Sequence, residues 1–317
     1  MLSTIALHDL NENITLTNSI FILGIGFDIR CLTILKTVSS EQSVKVLGLM
    51  NLQAKDWSEK NKSEFEKILK NKGVLVGAEA TNIMQIIDIL AKEIDASNFE
   101  KIVVDISVLS RELLLSVLAV LDSKYLLDKT IFLNLLVHSY GDWLTSGVSN
   151  IRSVLGFSGI LYPSKKLHLI VISGFEVERA LQIIQELLPS KVTIGYSPVK
   201  DSVDPILADK NKKSALNIQK LIRETKESIS DVDIVELSCI DPFLLNTQLE
   251  ELLQSHHNSE EFNTIIAPLN TKISTIGAGL FALKHPEIQV CYAEVEQYNH
   301  DYASPSDQVI KFSISSY

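Results

Sequence analysis

The sequence carries one α/β pattern twice. The apolar run Ile20-Phe21-Ile22-Leu23 leads into Gly26-Phe27-Asp28-Ile29-Arg30, and 148 residues later Leu169-Ile170-Val171-Ile172 leads into Gly174-Phe175-Glu176-Val177-Glu178. Val46-Leu47-Gly48-Leu49 has its counterpart in Thr193-Ile194-Gly195-Tyr196, 147 residues on. Further along, Lys101-Ile-Val-Val-Asp105 answers Asn263-Thr-Ile-Ile-Ala267, and Ile131-Phe-Leu-Asn-Leu135 answers Ile288-Gln-Val-Cys-Tyr292. Tyr140 with Ser146 answers Tyr298 with Ser304, both displaced by 158. Strand periodicity demands neither a Gly-Phe-acid turn nor a terminal tyrosine, so the match goes beyond what any two α/β units share. Shared elements in one order imply a duplicated unit, with a ligand or partner expected between the copies.

The first half reads as strand 19–25, helix 28–39, strand 44–50, a charged helix 56–71, strand 73–77, helix 81–94, strand 101–106, helix 109–122 and strand 130–137. Helix 81–94 shows its stripe clearly: Ile83, Ile86, Ile87, Leu90 and Ile94 recur at three- and four-residue spacing, with Lys92 and Glu93 off it. Residues 140–163, containing Gly and Ser and ending in Tyr162-Pro163, read as a junction between domains 1–163 and 164–317. The second half reads as strand 167–173, helix 176–187, strand 191–196, helix 214–228, strand 232–237, helix 243–255, strand 263–268, helix 273–284 and strand 288–294. Val309 to Ile314 alternates and reads as a closing or edge strand. Asp201 to Lys213 lacks an apolar stripe and reads as a solvated insertion. The expected fold class is α/β: two tandem, pseudo-two-fold related Rossmann-like units with mainly parallel sheets.

Hydrophobic residues make up 46% of the 317 residues, yet the apolar runs are only four to eight residues long, too short to span a bilayer. Parallel strands covered on both faces account for the surplus. Met1 to Asn18 has acids and no basic cluster, so neither a secretory signal nor a transit peptide is expected. Cys31, Cys239 and Cys291 stand in or beside apolar segments at unrelated spacings, which predicts reduced core thiols and a cytoplasmic location. A formal charge of −10 disfavours duplex nucleic acid as the main partner and leaves room for a short nucleotide in a local pocket.

Several chemistries lack their residues. His8, His138, His168, His285, His300 and the pair His256-His257 show no metalloprotease spacing. There is no Gly-x-Ser-x-Gly elbow and no Gly-Lys-Ser/Thr phosphate loop. Gly24-Ile-Gly26-Phe-Asp-Ile29 begins like a dinucleotide fingerprint but has no third glycine, and no cofactor is expected.

Ligands of an open parallel sheet bind beyond the carboxyl ends of its strands, which directs attention to the residues after each apolar run. The leading candidate is the loop Pro268-Leu-Asn270-Thr271-Lys272 before a helix containing Ser274. Unpaired N–H groups of a first turn, hydroxyls and a lysine together suit a phosphate-sized anion. Asp105-Ile-Ser107-Val-Leu-Ser110-Arg111 brings hydroxyls and a cation to the equivalent place in the first half. The turns Gly26-Phe27-Asp28 and Gly174-Phe175-Glu176 complete the set. Each of these groups could also serve only as a helix cap.

The repeated α/β unit, the paired Gly-Phe-acid turns and Asn270-Thr271-Lys272 resemble the CARF and SAVED families, Rossmann-like nucleotide sensors of bacterial immune systems. Asn270-Thr271-Lys272 is similar to the Gly-Thr-Lys loop common in CARF proteins, with asparagine in place of glycine; the first half has Ser107 to Arg111 there. The resemblance implies a sensor or regulatory protein that holds a nucleotide-like ligand, such as a cyclic oligonucleotide, across a cleft between two copies. With no nuclease, protease or membrane effector in the sequence, it implies a separate effector protein in bacterial defence. Homo-oligomerisation stays open. Alternatives are an enzyme cleaving such a nucleotide or a nucleoside bond, and a scaffold subunit that has lost the ligand.

Overall fold

The computed structural model describes residues 2–38, 44–54, 56–69, 73–141, 143–225, 229, 231–255, 261–301 and 303–314. Its strands are β1 (Ser3–Ala6), β2 (Ser19–Ile25), β3 (Val44–Met50), β4 (Gly73–Val76), β5 (Lys101–Asp105), β6 (Thr130–Tyr140), β7 (Thr145–Ser158), β8 (Lys166–Ile172), β9 (Lys191–Tyr196), β10 (Asp231–Glu236), β11 (Phe262–Pro268), β12 (Gln289–Tyr298) and β13 (Ala303–Ser313). The α-helices are α1 (Leu10–Asn13), α2 (Thr33–Val38), α3 (Glu59–Leu69), α4 (Ile83–Asp95), α5 (Arg111–Ser123), α6 (Val177–Leu187), α7 (Pro205–Thr225), α8 (Pro242–Ser255) and α9 (Lys272–Lys284).

The chain forms two compact units, Met1–Asp142 with His300–Tyr317, and Trp143–Asn299. The sequence pattern places the division at 163 instead. In the first unit the sheet order is β1-β13-β6-β5-β2-β3-β4, in the second β10-β9-β8-β11-β12-β7. Read from the third parallel strand, the orders are β4-β3-β2-β5-β6-β13 and β10-β9-β8-β11-β12-β7, the same arrangement. Five parallel strands in 3-2-1-4-5 order carry one antiparallel strand beyond the fifth, as in Rossmann-like folds. The expected α/β class with two mainly parallel sheets is therefore what forms.

The antiparallel strands come from an unexpected part of the chain. β7 follows β6 in sequence but pairs with β12, and β13 follows β12 but pairs with β6. Ser146 pairs with Gln297 and Ser304 with Ser139, so the two exchanged strands keep equivalent registers. The residues 140–163, read as a junction, contain the strand β7. Its Gly and Ser residues obscured a strand of 14 residues, in which Gly156 takes φ +89° within a register shift opposite Gln289 and Cys291. β13 is longer than the alternating segment Val309 to Ile314, and β1 covers its outer side.

Cores form on the strand faces that periodicity assigns. Every residue of β2 is buried, and Phe21, Leu23 and Ile25 join Ile34 and Leu35 of α2 and Phe65 of α3. In the second unit Leu169 and Val171 meet Ile183 and Ile184 of α6 and Ala215, Ile218 and Ile222 of α7. The three cysteines are buried and unbridged, and burial pushes each thiol up to about 12, out of the reactive range.

The solvated insertion is also corrected. Residues 205–213 are the first part of α7. Asp204 accepts from the N–H groups of Ile206 and Leu207 at 2.7 and 3.1 Å, and Pro205 occupies the first helical position. The buried stripe Ala208, Asn211, Ala215, Ile218 and Ile222 has helical spacing, but its first two members are an alanine and an asparagine. Their small apolar content hid it. No described helix is long and apolar enough to cross a membrane.

Candidate functional site

At the carboxyl end of each sheet, the turn after the first parallel strand meets the loop after the fourth. In the first unit a Cβ on Gly26 would lie 3.1 Å from Cγ1 of Val108, in the β5–α5 loop. In the second, a Cβ on Gly174 would collide with the carbonyl oxygen of Leu269 in the β11–α9 loop. Glycine is thus a condition of bringing the two loops together at Gly174, while at Gly26 the Val108 side chain would have to give by a few tenths of an ångström. The sequence-predicted candidates fall into one cluster per unit.

The acids of the turns are occupied within the protein. Asp28 Oδ1 accepts from the Arg30 backbone N–H at 2.9 Å, and its Oδ2 pairs with Arg30 NH2 at 2.6 Å; both side chains are buried. Arg30 NH1 also donates to Leu135 O of β6 at 3.2 Å. Glu176 pairs with Arg179 NH1 at 3.3 Å and accepts from the Thr145 hydroxyl of β7, while Arg179 NH2 donates to Ala293 O of β12. One device is thus built twice: an acid in the turn holds a buried arginine, which ties the turn to the fifth parallel strand. A buried pair of this kind leaves little of the acid for a ligand.

A second repeated device escaped the sequence reading. Asn61 of α3 donates to Gly26 O at 2.7 Å and Asp28 O at 3.1 Å. Asn211 of α7 donates to Ser173 O at 2.7 Å and Gly174 O at 3.1 Å, and accepts from Ser197 N–H at 2.8 Å. The two asparagines stand 150 residues apart, close to the 148 that separates the glycines they serve. That coincidence was the available signal, but one asparagine in a charged helix carries no periodic weight.

The anion-type loops have matching ends. Ser110 caps α5, its Oγ accepting from Leu113 N–H at 3.2 Å, and Arg111 follows at the first helical position. Thr271 caps α9, accepting from Ser274 N–H at 3.0 Å and donating to Cys239 O, and Lys272 follows. Asn270 donates to Ser173 O and to Asn211 Oδ1, the latter at 3.3 Å, which joins this loop to the Gly174 turn. Arg111, Thr271 and Lys272 are half-buried. Ser274 is fully buried and returns its hydroxyl to Thr271 O at 2.9 Å, so it faces its own helix. Ser107 is likewise enclosed, donating to Asp105 and accepting from Leu135 N–H at 2.8 Å.

Among the carboxyl groups of this region, Asp105 has a strongly altered acidity. Burial pushes its carboxyl up to about 6; bonds from the Ser107 hydroxyl and backbone N–H, and the nearby Arg30 charge, oppose the shift. Tyr140 is also raised by burial, with Arg30 and Arg111 acting the other way. Arg30, Arg111, Asp28 and Tyr140 therefore share one electrostatic environment at this end of the first sheet. Among the described residues no group of three His, Cys, Asp or Glu side chains could hold a metal ion. His256-His257 lies outside the described residues, as does Tyr302.

No protein-family model matches the sequence, and no curated protein matches it. Among solved structures the chain is similar to a type III CRISPR defence DNA nuclease activated by cyclic oligoadenylate, with a TM-score of 0.49 and 8% identity over 87% of this chain and 68% of that one. It is also similar to a protein assigned to the universal stress proteins of Pseudomonas aeruginosa UCBPP-PA14, with a TM-score of 0.26 and 12% identity over 88% of this chain and 94% of that one. Neither likeness reaches a TM-score of 0.5, and what this chain does has to be read from its own residues.

Proposed function

We propose that this protein is a nucleotide sensor: it takes an anionic, nucleotide-like ligand at the carboxyl ends of its strands and acts through a separate effector protein. The observation that carries the reading is the repeated hydroxyl-and-cation start of α5 and α9, Ser110-Arg111 and Thr271-Lys272. A cation in a first turn opposes the helix dipole, so placing one there twice favours an anion as the third member of the arrangement. The sequence resemblance to CARF and SAVED sensors makes cyclic oligonucleotides the first ligands to try, and bacterial defence the setting. A cytoplasmic location belongs to the same proposal.

The sensor reading is tested by calorimetry with a panel of mono-, di- and cyclic oligonucleotides, cyclic oligoadenylates included. Binding weakened by Lys272→Ala by more than about 1 kcal/mol, with folding intact, is the expected result for a lost charge-assisted bond. Equal affinity for variant and parent would reduce the loop to a helix cap.

One observation favours an enzyme instead. Asp105, with its carboxyl near 6, has the acidity of a general acid or base, though it faces Ser107. Incubation of purified protein with a bound nucleotide separates the readings. A sensor returns it unchanged and shows thermal stabilisation that grows with ligand concentration; turnover abolished by Asp105→Asn would establish the enzyme.

A further inference from the structure

Trp57 has a chemistry that the site above does not use. It lies in the 3-10 turn Asp56–Ser58 that follows β3, at the carboxyl end of the first sheet, and 66% of its surface is exposed. The ring is nevertheless held in place. The His300 imidazole stacks on it with centroids 4.1 Å apart and planes 32° apart, and Phe27 meets the same imidazole edge-on at 4.6 Å and 80°. Three rings from three separate segments thus form one group around the His300 imidazole. Their supports are fixed as well: Ser58, next to Trp57, is fully buried, and the Asn61 amide holds the Phe27 turn by two carbonyls.

We propose that Trp57, backed by His300 and Phe27, is the stacking platform for the nucleobase of a bound nucleotide, an inference that rests on the nucleotide reading above. An indole that packs on an imidazole and keeps 66% of its surface exposed offers a flat π surface, which any base can stack on. Its position beyond β3 and beside the turn after β2 is where a doubly wound sheet takes ligands. The anion loop belongs to the same end of the same unit, since Gly26, next to Phe27, lies against Val108, two residues before Ser110. In the second unit the equivalent Phe175 ring instead has Lys210 Nζ 4.8 Å from its centroid. The stacking role is therefore assigned to the first unit alone.

The chain has two tryptophans, so Trp143→Phe leaves Trp57 as the sole indole emitter. That variant is titrated with adenosine 5′-monophosphate and, in parallel, with ribose 5-phosphate, which carries the phosphate without the base. The monophosphate should change Trp57 emission saturably, and ribose 5-phosphate should leave it unchanged. By calorimetry, Trp57→Ala should weaken monophosphate binding about tenfold or more and leave ribose 5-phosphate binding alone, while Trp57→Phe retains most of the affinity. Monophosphate bound equally by parent and Trp57→Ala, with Trp57 emission unmoved, overturns the platform and leaves nucleotide binding standing. Ribose 5-phosphate bound as tightly as the monophosphate overturns the platform while the anion loop stands. Failure of the parent to bind either probe overturns the platform, and failure across the nucleotide panel overturns the sensor reading with it.

Discussion

Gly26-Phe27-Asp28 and Gly174-Phe175-Glu176 hold the same place in their units and are tied down by the same parts. A buried arginine, Arg30 or Arg179, joins the acid to the fifth parallel strand, and an asparagine, Asn61 or Asn211, holds the turn by its carbonyls. Outward of that frame they diverge. Phe27 lies against His300, which in turn packs on Trp57, whereas Phe175 has Lys210 over its ring. The framework residues are buried or half-buried and set by folding; the outward ones are free to differ, and there one copy has become aromatic and the other cationic. Under the sensor proposal, copies that differ in this way suit a ligand with chemically distinct parts.

The largest expected effect tests whether the frame is shared. Arg30→Ala and Arg179→Ala each leave a buried carboxylate uncompensated and should each cost about 3–5 kcal/mol in urea unfolding. A large loss at one position only would break the equivalence. Asp105→Asn sharpens the contrast, because Ala267 stands at the corresponding position of the second unit. The Asp105 carboxyl is raised from 3.8 to about 6 in the folded chain, so between those values the folded state holds the proton longer than the unfolded state does. Stability therefore falls as pH rises through that window, and the cost is complete above it. Asparagine keeps the acceptor for Ser107 without the charge, and should add on the order of 2–3 kcal/mol at pH 7.5 and almost nothing below about pH 4. Destabilisation at pH 7.5 would show that the ionised carboxylate is needed where it stands.

The asparagines should differ in degree. Asn211 bonds to two carbonyls, the Ser197 N–H and Asn270, while Asn61 bonds to two carbonyls only. Asn211→Ala should cost about 2–3 kcal/mol and Asn61→Ala about 1 kcal/mol, read from denaturant midpoints. The smallest effect concerns the cations. Arg111→Ala and Lys272→Ala should each weaken binding of a phosphate-bearing ligand by about 1 kcal/mol. A loss confined to Lys272 would assign the anion to the second unit alone.

Much of the site was legible in part. The Gly-Phe-acid turns, Ser110-Arg111 and Thr271-Lys272 were found because ligand-side residues of a parallel sheet follow its apolar runs, and those runs are visible. What Asp28 and Glu176 do was not visible, since the carbonyls their arginines reach are 105 and 114 residues further on in sequence. Asn61, Asn211 and Trp57 were missed for a related reason. Each makes its contacts across the fold, and a single residue leaves no period.

Periodicity and spacing by themselves determined the α/β class, the duplication and the positions of the parallel strands; β2, β3 and β9 cover the strands 19–25, 44–50 and 191–196 that the sequence predicts. Local burial demands a local pattern, and that pattern survives in the order of the residues. Only the tertiary structure decided where β7 and β13 go, because an antiparallel partner is chosen by edge hydrogen bonds between distant segments, and either edge would satisfy the same backbone groups. It also decided that 205–213 is helix. There Asp204 and Pro205 start the turn, and small residues suffice on a face that packs closely against its neighbours.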